Sequence, residues 1–189
     1  MINNLLKLQD AYTQGHSKRV AVFAKILAIE TNQYDQDALN KLFNSCLLHD
    51  IGKLGIPNKI LNKKTSPLTQ KEYDVMKTHP QIGEDLLKIF PSINIDLSII
   101  RSHHEMWNGN GYPDGLIRYE IPLSARIVSI ADAFDAMTST RLYRKAMNPK
   151  EAYNRIIEGK GIQFDPELVD IFQKTYSSWV KNTNIYIYL

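Results

Sequence analysis

The sequence predicts an all-α domain of about six to eight helices. Three observations carry that prediction. Apolar residues recur at helical spacing in several windows. No window shows a sustained two-residue alternation, and helix-opening signals stand before several of the apolar stripes.

The elements follow in order. Val20, Phe23, Ala24, Leu27 and Ala28 share one helical face. Leu39, Leu42, Phe43, Cys46 and Leu47 form a second stripe, with Asp35 placed to cap its start. Thr69-Gln70-Lys71-Glu72 is a capping-box sequence for a third helix. Pro80 interrupts that pattern, and Ile82, Leu86, Leu87 and Phe90 carry a further short helix. Ile95, Ile99 and Ile100 lead a helix toward His103, and Ala125, Ile127, Val128, Ala131 and Met137 mark another. Asn148-Pro149 and Asp165-Pro166 each set a cap before a proline at the first helical position. Ile185 to Leu189 alternates in character but is short and terminal, a frayed end or a docking segment. The irregular stretches are Ile51 to Pro67 and Met106 to Pro122; the second holds Asn108, Gly109, Asn110, Gly111, Pro113, Asp114 and Gly115. A long glycine-bearing loop inside a compact domain is usually functional.

Size and charge narrow the classes. A chain of 189 residues suits one domain, 1–189, with a full core. Apolar residues make up 43% and charged residues 23%, so nothing argues for disorder. The net charge of +3 is too balanced to signal a DNA-binding face, though it suits a small anionic substrate. The single cysteine, Cys46, excludes an intramolecular disulfide and a thiolate zinc site, and reads as a small buried hydrophobe. No signal-peptide pattern and no membrane-length apolar run is present, so a soluble, cytoplasmic protein is expected.

The five histidines are His16, His49, His79, His103 and His104. His16 precedes Val20 by four and Phe23 by seven, and His49 continues the stripe of Leu42 and Cys46. His103 follows Ile99 by four, His104 follows Ile100 by four, and Asp132 follows Val128 by four. Each projects from an apolar face toward the interior, where an unpaired carboxylate such as Asp132 is expensive. Imidazole and carboxylate suit borderline and harder divalent metals. Neighbouring helical residues point about 100° apart, so His103 and His104 reach one metal only at a helix end or across a wide site. The competing reading makes each histidine a hydrogen-bonded core residue and Asp132 a cap or a lysine partner. That accounts for one such residue more easily than for five.

His49-Asp50-Ile51-Gly52-Lys53 resembles the signature of the HD phosphohydrolase superfamily. His103-His104-Glu105-Met106-Trp107-Asn108-Gly109-Asn110-Gly111-Tyr112-Pro113 resembles that of its HD-GYP branch. Ile121-Pro122-Leu123, Ala125-Arg126-Ile127, Ile130-Ala131-Asp132, Phe134 to Ser139 and Arg141-Leu142-Tyr143-Arg144 extend the match, which runs from about 10 to 172 and leaves 173–189 as a helix and tail.

The resemblance implies a helical core holding metal and a bacterial phosphodiesterase that degrades cyclic di-GMP, with pGpG or GMP as the final product. It implies two divalent ions, iron or manganese. His16, His49, Asp50 and Asp132 would hold the first, and Asp50 would bridge to a second held by His79, His103 and His104. Tyr12 stands where some members carry a glutamate for a third metal, which argues for two. Arg118 stands where many members have glycine. Two metals would share an attacking hydroxide and clamp the phosphoryl group.

Lys53 would stabilise phosphate charge or protonate the leaving oxygen. Arg141 and Arg144 could fork onto a phosphate. Asp135 could read a guanine edge, or orient Lys53 or an arginine. Tyr112 would touch the ligand, in a Gly111-Tyr112-Pro113 loop that could equally dock diguanylate cyclases of the GGDEF type. Trp107 would stack on guanine or anchor the loop. Asp10 is a weaker contact, Glu105 would orient a histidine through its free ring nitrogen, and Arg126 is expected in a structural salt bridge. A homodimer is compatible with all of this. The competing functions are a silent cyclic di-GMP receptor or docking module, and an HD nucleotidase of other specificity.

Overall fold

The structure is a computed structural model that describes residues 11–63, 66–140 and 145–185. It is all-helical. The helices are α1 (Ala11–Glu30), α2 (Gln36–Leu48), α3 (Asn58–Leu61), α4 (Gln70–Met76), α5 (His79–Lys88), α6 (Leu97–Ser102), α7 (Leu123–Thr138), α8 (Pro149–Glu158) and α9 (Pro166–Ile185). Short 3-10 turns at Ile51–Gly55 and Arg118–Glu120 punctuate the two irregular stretches. Among the described residues the only extended pairing is two isolated bridges, Asn108 with Ile117 and Lys160 with Phe164.

The helix starts fall where their caps stand. Asp35 accepts from the Ala38 amide at 2.8 Å, which satisfies one of the amides a helix start leaves without a partner. Thr69 and Glu72 cap each other: the Glu72 amide donates to Thr69 Oγ1 at 3.3 Å and the Thr69 amide to Glu72 Oε2 at 2.7 Å. Asn148 accepts from the Lys150 amide and Asp165 from the Glu167 amide, both at 2.8 Å. Pro80 breaks the pattern of α4 by opening α5, where a missing amide proton costs nothing.

The main core lies where α1 packs on α2 and α7, with α9 closing the side. The Phe23 ring stacks on Trp179 at 4.9 Å, and Phe134 meets both edge-on at 5.4 and 5.3 Å. Each such ring contributes about 1.5–3 kcal/mol through burial alone. A smaller cluster of Leu48, Ile51, Leu87, Ile93 and Ile100 joins the end of α2 to α5 and α6. That second cluster positions the site. In it, two glycines let backbones touch: a Cβ on Gly52 would lie 1.9 Å from the His79 carbonyl oxygen and 2.5 Å from the Gly83 nitrogen. The start of α5 is thereby seated directly on the turn that follows Asp50.

Candidate metal centre

Helix ends supply most of the polar cluster. His16 comes from α1, His49 caps the end of α2 with Asp50 next in the chain, and His79 opens α5. His103 caps the end of α6, and His104 follows it off the helix. Their adjacency at a helix end lets both rings turn inward. Asp132 comes from the middle of α7 and His16 from inside α1 rather than from a helix end.

The side chains form two groups, His16–His49–Asp132 and Asp50–His79–His103–His104, with the donor atoms of each within 4.8 Å of one another. Asp50 stands between them. Its Oδ2 lies 3.5 Å from His49 Nε2 and 4.0 Å from His16 Nε2, and its Oδ1 lies 3.2 Å from His79 Nε2 and 3.9 Å from His103 Nε2. His16 Nε2 is also 3.2 Å from Asp132 Oδ1.

The far sides of the rings are fixed. His49 Nδ1 donates to the Cys46 carbonyl at 2.7 Å and His79 Nδ1 to the Met76 carbonyl at 2.8 Å. His103 Nδ1 lies 3.0 Å from both the Ile99 and Ile100 carbonyls. Because carbonyl oxygens only accept, these contacts put the proton on Nδ1 and turn the Nε2 lone pair into the cluster. The Nε2 atoms of His49, His79 and His103 and the Oδ1 of Asp50 are buried without a hydrogen bond of normal geometry. Leaving such atoms unsatisfied costs about 1–3 kcal/mol each. Neutral imidazoles and carboxylates aimed at common points fit a divalent cation, and the residues present therefore suit a metal.

Electrostatics agree. Burial holds His49 and His103 below the usual histidine value and His104 down at about 4, so all three are neutral lone-pair donors at pH 7. Burial alone would push Asp50 up, yet Lys53 and the histidines hold it well below the usual carboxylate range. His16 goes the other way: burial opposes its charge, but Asp132 and Asp135 raise it to about 9. This corner of the site attracts a cation.

A cavity of about 270 Å³ opens beside the second group, lined by Tyr73, His103, His104, Met106, Tyr112 and Asp132 among others. The Tyr112 ring stacks on His104 at 4.8 Å, and its amide donates to the His104 carbonyl at 3.2 Å. The Tyr112-Pro113 peptide is cis. Gly111 passes so close to the loop's start that a Cβ there would sit 2.3 Å from the Met106 nitrogen. Lys53 Nζ lies 2.5 Å from Asp50 Oδ2 at the rim, about a third exposed.

Two expected roles change. Asp135 does not face the cavity: it is buried, accepting from His16 Nδ1 at 2.7 Å and from Arg19 Nε at 2.6 Å, so neither oxygen is left to read a guanine edge or meet Lys53. Of the readings given above for Asp135, only orientation of an arginine matches this placement. Glu105 orients no histidine. Its carboxylate accepts the amides of Asp114, Gly115 and Leu116 at 2.7, 3.2 and 3.1 Å and so holds the loop, while the ring Nδ1 atoms of His49, His79 and His103 are taken by carbonyls.

The surroundings of Trp107 match the anchoring reading. It is buried, its amide donates to the Gln163 carbonyl at 3.0 Å, and Tyr119 lies edge-on at 5.1 Å. Arg126 pairs with Asp165, a structural bridge. Arg118 has φ +53, a conformation glycine adopts more readily, which gives a physical reason for glycine at that place. Asp10, Arg141 and Arg144 lie outside the described residues, and Tyr12 falls in the first turn of α1.

Three contributors escaped sequence reasoning. Arg19 braces Asp135. Arg101 forks onto Asp114 at 2.6 and 2.7 Å while reaching Glu84 at 2.7 Å, tying the loop to α5. Tyr73 lines the cavity from α4. Only Arg19 left a signal, its spacing of three from His16.

Residues 1–168 match the HD domain family, and the chain belongs to that family. Its His49-Asp50 pair and Gly111-Tyr112-Pro113 segment set it in the HD-GYP branch. Among curated relatives it is 38% identical over 176 residues to a cyclic di-GMP phosphodiesterase of Thermotoga maritima, covering 92% of this chain and 47% of that protein. It is 37% identical over 171 residues to 3'3'-cGAMP-specific phosphodiesterase 3 of Vibrio cholerae, covering 89% and 37%. Among solved structures, a cyclic GMP-AMP specific phosphodiesterase of V. cholerae superposes with a TM-score of 0.71 at 19% identity, over 96% of this chain and 52% of that one, and shares the fold. The chain spans about half or less of the length of these proteins. No described helix is long and apolar enough to cross a membrane.

Proposed function

We propose that this domain is a two-metal phosphodiesterase that hydrolyses cyclic di-GMP to pGpG, with GMP as the alternative final product. The observation that carries the reading is Asp50, one oxygen turned to each donor group. His16, His49 and Asp132 with Asp50 would hold one ion, and His79, His103 and His104 with Asp50 the other. Iron or manganese suits imidazole and carboxylate donors. Tyr12 in place of glutamate favours two ions over three. Bound there, two divalent ions would supply Lewis acidity and a water acidic enough to attack near neutral pH.

The protein's own groups do the rest. Lys53, paired with Asp50 at the rim, is placed to balance phosphate charge and to protonate the departing ribose oxygen. Tyr112, held on His104, walls the cavity against the nucleotide. Arg141 and Arg144 are assigned to phosphate contacts and Asp10 to a peripheral one. The Gly111-Tyr112-Pro113 loop, with Ile117 and Tyr119 exposed beside it, is a docking face for a GGDEF cyclase in the cytoplasm or for a second copy of the domain.

The test is an assay of purified protein loaded anaerobically with iron or manganese, with products separated by chromatography. Conversion of cyclic di-GMP to pGpG is expected. Binding without hydrolysis would make the domain a receptor. Because a relative of nearly the same identity, 37% against 38%, is named for 3'3'-cGAMP, that dinucleotide belongs in the same assay; faster turnover of it would reassign the substrate.

A further inference from the structure

Resting on the two-metal reading above, we propose that Arg19 is a positioning residue for the first metal group, fixing the His16 ring through the carboxylate of Asp135. Two helices carry matched pairs three residues apart: His16 and Arg19 on α1, Asp132 and Asp135 on α7. Residues at that spacing share a helical face. The pairs interlock. Asp132 Oδ1 lies 3.2 Å from His16 Nε2, and Asp135 Oδ2 lies 2.7 Å from His16 Nδ1. One helix thus meets the ring on both nitrogens, one side belonging to the metal group and the other to the brace behind it.

An aspartate carboxylate rotates easily about its last torsion, so Asp135 alone would hold the ring loosely. Arg19 removes that freedom. Its Nε donates to Asp135 Oδ1 at 2.6 Å and its Nη2 to Oδ2 at 3.1 Å, a two-pronged contact that sets the carboxylate plane. The same Nη2 donates to Ser139 Oγ at 3.0 Å, and Ser139 Oγ donates to Asp135 Oδ2 at 3.2 Å. Asp135 is 1% exposed, and once the His16 ring gave up its proton to ligate a metal, a buried carboxylate facing that ring alone would be poorly compensated. Carboxylate partners of this kind fix the tautomer and direction of a ligating histidine, and their loss weakens metal affinity by about 10–100-fold.

The competing account makes the Arg19–Asp135 pair a mere tie between α1 and α7. Manganese binding separates the two. Two backgrounds isolate the groups: His104→Ala spares the first, and Asp132→Asn spares the second. Phe23→Leu, which loosens α1 against Phe134 of α7 without touching Asp135, is the packing control.

In the first background Arg19→Gln is expected to weaken manganese binding about 10–100-fold. Arg19→Lys should recover part of that loss, and Phe23→Leu should leave binding within about twofold. In the second background Arg19→Gln should leave binding unchanged. Unchanged affinity in the first background overturns the proposal, as does an equal loss from Phe23→Leu. If Arg19→Gln fails to fold, Arg19→Lys decides: full wild-type affinity there overturns the need for a two-pronged contact. A wild-type chain that binds fewer than two ions overturns the two-metal reading itself, a result distinct from any effect at Arg19.

Discussion

Gly52 and Gly83 bring two backbones into contact: the Gly52 nitrogen lies 3.1 Å from where a Cβ on Gly83 would stand, and a Cβ on Gly52 would lie 2.5 Å from the Gly83 nitrogen. No side-chain rearrangement relieves that overlap, because the obstructing atoms are backbone. Gly52→Ala must therefore lift the start of α5, and His79 with it, away from Asp50. Overpacking of this kind costs about 1–3 kcal/mol. The expected variant melts lower and retains one metal per chain instead of two, as read by calorimetry and metal analysis.

Asp50 is shared by both donor groups, so its loss should not be confined to one. Asp50→Ala is expected to take metal content from two ions per chain toward none. Undiminished metal content would remove Asp50 from the ligand set.

Binding of the first ion should release protons. His16 sits at about 9, so at pH 7.5 it carries a proton that a ligating ring must give up. His104 at about 4 and the lowered His49 and His103 carry none to release. About one proton per chain is expected from calorimetry in two buffers of different ionisation enthalpy. Affinity should rise as pH approaches 9.

Stability of the metal-free protein has two opposed pH dependences. The raised His16 contributes stability fully present below its unfolded value near 6.5 and lost as pH rises through 9. The depressed His104 works in reverse: between about 6.5 and 4 the unfolded chain takes up a proton the folded one refuses, so stability falls with falling pH. His49 and His103, held low in the same way, add to this limb, so His104→Gln should make it shallower without removing it in thermal melts between pH 7 and 4.5.

Arg118 holds a left-handed conformation at φ +53 in the loop. A non-glycine residue there costs about 1–2 kcal/mol, partly offset by the chain entropy glycine loses on folding. Arg118→Gly should therefore raise stability by about 0.5–1 kcal/mol in denaturant titration, with metal content unchanged.

The helical core was legible because burial imposes a period on sequence. Val20, Phe23, Ala24 and Leu27 read as a stripe and are buried as one. Five of the seven clustered donors, His16, His49, His103, His104 and Asp132, announced themselves by falling on such stripes, while Asp50 and His79 were legible through the family resemblance. What the sequence hid were contacts made only after folding. Glu105 sits beside His104 in the chain, which suggested a histidine partner. Its actual partners are amides nine to eleven residues on, brought back by the turn at Gly111. Asp135 looked like a cavity residue because it follows Asp132 by one turn. That same spacing carries it past the cavity to Arg19, whose approach depends on how α1 lies against α7. Arg118 reads as an ordinary loop residue until its backbone angle is known.

The carbonyls that hold the histidine rings belong to the last turns of α2, α4 and α6: Cys46, Met76, Ile99 and Ile100. A helix must satisfy those closing carbonyls somehow, and here the histidines do it. Ending the helix and aiming the donor are thus a single geometric event. One residue inserted into the final turn of α2 would swing His49 by about 100° and strip the carbonyl of its partner together. An inserted residue is therefore expected to be tolerated away from these turns and not within them, and the three helix ends behave as fixed gauges that set the spacing of the donors.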